Sequence, residues 1–152
     1  GSFPHFAMPR PLVEITRREE FSASHRLHNP ALSDEENRRL YGICNNENGH
    51  GHNYELEVTV AGAVPERTGM VMNLTDLMAI LRERVLPEVD HKHLNLDVAF
   101  LRGIIPTAEN LAVALWERIE PEVRRHAGCR LLRLRLFETR DSYVEYHGKG
   151  AE

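Results

Sequence analysis

The chain has 152 residues, 41% of them apolar and 28% charged, with a formal net charge of −4 at pH 7. That length suits one domain with a substantial core, and the composition excludes a disordered segment, a collagen-like repeat and a generic nucleic-acid binder. Its two cysteines, Cys44 and Cys129, are too few for a disulfide-stapled secreted domain and read as reduced thiols of a cytoplasmic protein.

No apolar run is long enough to cross a bilayer, and no signal peptide is evident, so neither a membrane nor a nucleic acid is expected as a partner. Gly1-Ser2 reads as a tag remnant and residues 1–11 as a flexible N-terminus, leaving residues 12–152 as the single folded domain.

From Leu12 to Ala23 the residues alternate, with Val13, Ile15, Phe21 and Ala23 on one face and Glu14, Thr16, Arg18 and Glu20 on the other. Arg17 and Glu19 interrupt the inner stripe, which predicts a bulge or an exposed middle. Ser33 with Glu36 three residues on forms a capping box, predicting a short helix that runs to Tyr41 and stops at Gly42. A second strand alternates Tyr54, Leu56, Val58 and Val60 with Glu55, Glu57 and Thr59.

Asn73 caps a helix whose apolar face is Leu74, Leu77, Met78, Leu81 and Val85. Pro106-Thr107 opens another, with Leu111, Leu115, Trp116, Ile119 and Val123 on one side. Pro121 should kink or interrupt it, and Gly128 should end it. The last strands set Leu132, Leu134 and Leu136 against Arg133 and Arg135, then run from Ser142 to His147. The expected class is α+β, an antiparallel four-stranded sheet in the order ββααββ with both helices on one face.

His50 and His52 share the parity of Tyr54 and Leu56, and His25 shares that of Phe21 and Ala23. Neighbouring antiparallel strands would set the end of one beside the start of the other, so the three imidazoles should converge. Three imidazoles with an open position make a catalytic zinc arrangement. His5, His28, His93, His126 and His147 read as ordinary surface or hydrogen-bonded histidines.

Cys44 stands six residues before His50, in a loop of small polar residues. The spacing permits either a fourth ligand or a proton-transfer group. Asp90-His91 can orient an imidazole towards a thiol, or simply cap a helix end. Glu138 carries the inward parity of Leu134 and Leu136. A carboxylate there needs a partner, either a local Arg such as Arg140 or a heterocycle presenting adjacent N–H groups.

Five segments together resemble one enzyme family. They are Phe21-Ser22-Ala23-Ser24-His25-Arg26-Leu27, Cys44-Asn45-Asn46-Glu47-Asn48-Gly49-His50-Gly51-His52, Gly69-Met70-Val71-Met72-Asn73-Leu74, Asp90-His91-Lys92 and Thr107-Ala108-Glu109-Asn110. This pattern resembles the 6-pyruvoyl-tetrahydropterin synthases and covers nearly everything from Val13 to Gly148.

The resemblance implies the tunnelling fold (T-fold), whose subunits pair edge strands into a barrel and stack as a homo-hexamer, a dimer of trimers. It implies a zinc-dependent lyase acting on 7,8-dihydroneopterin triphosphate, with His25, His50 and His52 on Zn2+ and Cys44 as the proton-transfer group. Asp90 and His91 would be its relay, Glu138 the pterin anchor, and Thr107 and Glu109 would lie near the pterin. A close branch, the 6-carboxy-tetrahydropterin synthases, uses the same substrate, but its cysteine usually stands three residues from His-Gly-His, whereas five intervene here. A non-catalytic pterin-binding zinc module is the remaining alternative.

Overall fold

The computed structural model describes residues 10–150; the tag remnant and most of the expected flexible N-terminus lie outside them. β1 (Leu12–His25) leads through α1 (Asp34–Tyr41) to β2 (His50–Ala63). Then come α2 (Leu74–Arg84), the one-turn α3 (Leu86–Val89) and the two-residue β3 (Lys92–His93). The long α4 (Ala108–Arg124), β4 (Arg130–Thr139) and β5 (Ser142–Tyr146) complete the fold.

The fold is α+β, but the sheet has five strands rather than four, ordered β3-β1-β2-β4-β5. The added strand, β3, pairs parallel to β1 through Ala23–Lys92 and Ser24–His93, which makes the sheet mixed. Two residues show no alternation, so β3 carries no periodic signal in the sequence.

One face of the sheet packs under α2 and α4. Tyr54, Leu56, Val58 and Val60 are completely buried there against Leu77, Leu81, Leu111, Leu115 and Ile119. Each such side chain contributes about 1.5–3 kcal/mol through removal from water. The other face carries cross-strand ion pairs, Arg18 with Glu55 and Glu57, and Arg133 with Glu14. Thr16 and Thr59 are bonded hydroxyl to hydroxyl at 2.7 Å on that face.

β1 runs against β2 without a bulge, in an unbroken register from Leu12–Ala63 to His25–His50. Glu19 keeps the inward parity and is only 9% exposed, because Arg17 and Arg82 both bond its Oε1, at 2.9 and 3.1 Å. The expected irregularity is thus resolved by charge pairing, which links β1 to α2.

The bulge falls instead on β4, between the pairs Thr59–Arg133 and Val60–Leu131. It takes Leu132 out of the inner stripe and puts Leu131, 5% exposed, in its place. Pro121 does not break α4. It sits in the last turn, where only one backbone bond is lost, while buried Ile119 and Val123 hold that turn against the core. Ser33 and Asn73 cap α1 and α2 as expected, accepting from the backbone N–H of Glu36 and Thr75.

Candidate metal centre

The strand register builds the centre. His25 lies directly opposite His50, and Ala23 opposite His52, so the three imidazoles meet on the inner face at one end of the β1–β2 ladder. His25 is fully buried. One ring nitrogen from each histidine lies within 4.8 Å of the other two, and Nε2 of His25 is 3.0 Å from Nε2 of His50. Stacked rings of Phe21 and Tyr54, 5.0 Å between centroids, form the floor one step along the ladder.

Proton placement follows from the partners. Nδ1 of His25 lies 2.7 Å from the carbonyl oxygen of Pro106, which can only accept, so Nδ1 carries the proton. Burial lowers the pKa of His25, outweighing the favourable Pro106 carbonyl, and His50 and His52 lower it further. The ring is therefore neutral and its Nε2 offers a lone pair to the centre. This matches a metal-bound histidine, whose other nitrogen is held by a backbone carbonyl. Burial also lowers the pKa of His52.

Nδ1 of His50 and Nε2 of His52 are closed off from solvent with no hydrogen-bond partner. An unpartnered buried imidazole nitrogen is costly, and a cation taking the lone pair of His52 would remove that cost at Nε2; Nδ1 of His50 is the ring's other nitrogen, since its Nε2 faces His25. The donor set and its protonation fit a metal ion.

Glu138 extends the site. Its Oε1 lies 3.5 Å from Nε2 of His52, and no ion pair to Arg140 forms among the described residues. The carboxylate thus faces the imidazole cluster. Asp90 and His91 pair with each other at 3.0 Å, and Oδ1 of Asp90 also accepts from the backbone N–H of Ser22 at 2.9 Å. That N–H, with the His91 ring, holds the Asp90 carboxyl below its usual range. His91 is 82% exposed and has φ of +60°, an uncommon conformation for a residue with a Cβ. Such strain concentrates at functional positions.

Cys44 is a free, partly exposed thiol outside the three-imidazole group. Its loop is tied to the segment after His25, because the Cys44 carbonyl accepts from Leu27 N–H at 2.9 Å. Thr107 caps α4 by accepting from Asn110 N–H at 3.1 Å, directly after the Pro106 carbonyl that holds His25. Glu109 is exposed in the first turn of α4.

Three contributors escaped the sequence reading. The Tyr54 hydroxyl lies 3.3 Å from Nδ1 of His25, and burial pushes its pKa well above the ordinary phenol range, so it stays neutral. Its parity with His52 could have flagged it. Pro106 acts through a backbone carbonyl, which has no side-chain signature. Gly49 has φ of +76°, and a Cβ there would fall 2.8 Å from the carbonyl oxygen of His25.

The model of the 6-pyruvoyl tetrahydropterin synthase family matches residues 14–149. A 6-pyruvoyl tetrahydrobiopterin synthase of Dictyostelium discoideum is 46% identical over 90% of this chain and 97% of its own length. The solved structure of Caenorhabditis elegans 6-pyruvoyl tetrahydropterin synthase superposes with a TM-score of 0.87 at 37% identity, covering 93% of this chain and 99% of that one. A 6-carboxy-5,6,7,8-tetrahydropterin synthase of Rickettsia bellii is 28% identical over 88% of this chain and 99% of its own length. On these matches, and with its three histidines converging on one centre, the chain belongs to the 6-pyruvoyl tetrahydropterin synthase family.

Proposed function

We propose that this chain is a zinc-dependent lyase that converts 7,8-dihydroneopterin triphosphate to 6-pyruvoyl-tetrahydropterin and releases triphosphate. The observation that carries the reading is the neutral, buried His25 facing His50 and His52 beside the Glu138 carboxylate. Zn2+ held by these three imidazoles would act as a Lewis acid towards the side-chain hydroxyls of the substrate.

The remaining work falls to the chain's own residues. Glu138 accepts hydrogen bonds from adjacent N–H groups of the pterin ring, two oxygens to two donors. Cys44 removes a proton from the substrate side chain and returns it at the neighbouring carbon. Asp90 orients His91 as the relay partner of that thiol. Thr107 and Glu109 stand near the ring on the α4 side. Loss of triphosphate and an internal redox shift account for the product without an external reductant.

The single domain spans residues 12–152 and works as a cytoplasmic homo-hexamer, a dimer of trimers, in which edge strands such as β5 pair between subunits to close a barrel. Pairing of this kind covers backbone groups that an isolated sheet leaves open. No helix among the described residues is long and apolar enough to cross a membrane.

Incubation of the zinc-loaded protein with dihydroneopterin triphosphate, with mass-spectrometric identification of the product, tests the reading. The pyruvoyl product is expected. A product whose side chain has lost carbon would identify the carboxy-forming reaction instead, and absence of turnover would leave a pterin-binding module.

A further inference from the structure

The aim of His25 is not set by its own side chain. The Cβ–Cγ torsion of a histidine has broad preferences, so the ring turns easily unless its edge is held. A turned ring would carry Nε2 away from His50 and His52 and undo the convergence of the three nitrogens. What holds the edge is the hydrogen bonding of Nδ1.

Two oxygens meet that nitrogen from distant parts of the chain. The Pro106 carbonyl accepts at 2.7 Å, and the Tyr54 hydroxyl stands at 3.3 Å, its ring at 89° to the imidazole. Because Nδ1 carries the proton, the phenol oxygen is the second acceptor of one shared N–H. The phenol O–H then finds no acceptor of its own among the described residues. Tyr54 is completely buried, where an O–H without a partner is unfavourable. Packing alone would be served by phenylalanine, which keeps the stack on Phe21. The hydroxyl therefore lowers stability while giving His25 a second hold.

The Pro106 carbonyl is itself aimed. Thr107 N–H donates to the Ile105 carbonyl at 2.8 Å, closing a three-residue turn centred on Pro106, whose ring fixes φ in the range such a turn needs. The Asn110 side chain donates to the same Ile105 carbonyl at 2.9 Å, while its backbone N–H is capped by Thr107. Asn110 thus ties the first turn of α4 to the turn that presents the Pro106 carbonyl to β1.

We propose that Tyr54 and Asn110 are positioning residues of the metal centre. Tyr54 shares the Nδ1 proton of His25, and Asn110 pins the turn that brings the Pro106 carbonyl to it, so that Nε2 stays on the point where three nitrogens meet. Neither residue supplies a ligand atom. The proposal rests on the metal centre put forward above and is independent of the reaction assigned to it.

Competition between metal-free protein and a chromophoric chelator gives the zinc dissociation constant, and urea unfolding of chelated protein gives the stability separately. Tyr54→Phe should bind zinc about tenfold more weakly, in the range for a ligating histidine that loses support, with a chelated midpoint equal to wild type or above it. Asn110→Ala, an exposed change, should weaken zinc binding roughly threefold or more at a chelated midpoint near wild type. Wild-type zinc affinity in either variant overturns the role given to that residue. So does a loss of affinity matched by an equal loss of chelated stability, which marks a structural role. If wild type itself bound no zinc, the metal centre would fall and the clamp with it, a result neither variant can imitate.

Discussion

The buried, neutral state of His25 makes the metal-free protein acid-sensitive in a defined window. In the unfolded chain a histidine titrates near 6.5. In the folded chain, burial has lowered the pKa of His25. Above pH 6.5 both states are neutral and this residue contributes no pH dependence. Below it the unfolded chain takes up a proton that the folded chain refuses, so stability falls as pH falls, until the folded pKa is reached. The slope for one fully buried group is at most about 1.4 kcal/mol per pH unit. His52 shifts the same way but is partly exposed, so it adds less.

Chelated protein should therefore lose up to about 1 kcal/mol through His25 between pH 6.5 and 5.5, because the unfolded histidine is only half protonated at the start of that interval, on top of the loss from other groups. In urea that moves the midpoint by roughly 0.3–1 M. His25→Gln, whose amide can still donate to the Pro106 carbonyl, removes the titration and should flatten the profile by that amount. Excess Zn2+ at about 100 times its dissociation constant adds about 2.7 kcal/mol to wild type at neutral pH. Identical acid slopes in chelated wild type and His25→Gln would refute the protonation scheme.

Two further outcomes follow from the centre. Cys44→Ala should keep its zinc and its unfolding midpoint while losing turnover by at least about 10²-fold, checked by metal analysis alongside the product assay; loss of zinc would make Cys44 a ligand and remove its role in proton transfer. Glu138→Ala should retain zinc yet weaken pterin binding by roughly tenfold or more, read by titration with dihydroneopterin; unchanged affinity would end the anchor assignment.

Much of the centre is legible in strand parity. His50, His52 and Tyr54 follow one another at a spacing of two, and His25 ends a strand of matching alternation, so their shared face is legible in the sequence. The capping residues Ser33 and Asn73 were equally plain, because each acts on a backbone group within three positions. What stayed hidden acts through the main chain or across long separations. The Pro106 carbonyl reaches His25 over 81 positions, and β3 owes its pairing to neighbours 69 residues away rather than to its own pattern. The bulge falls at two adjacent leucines, Leu131 and Leu132, and alternation along the strand selects Leu132 where the bulge turns Leu131 inward. Glu19 looked like an error in the stripe because its partner Arg82 lies on another element, 63 positions on.

The centre depends on a register that other parts of the fold enforce. A slip of one residue between β1 and β2 would turn every inward side chain outwards, and a slip of two would set His25 against His52 or past the end of the ladder. Both would separate the Phe21–Tyr54 stack and the Thr16–Thr59 hydroxyl pair, which lie on opposite faces of the same ladder. Burial of Tyr54, Leu56, Val58 and Val60 under α2 and α4 reinforces that register. The ligands therefore need not organise themselves. His25 can remain neutral, buried and aimed at the point between three rings, an arrangement that would be unfavourable by itself, because the apolar ladder beneath it supplies the stability. Metal then binds to a prepared geometry, and the ordering of the ligands need not be charged against its affinity.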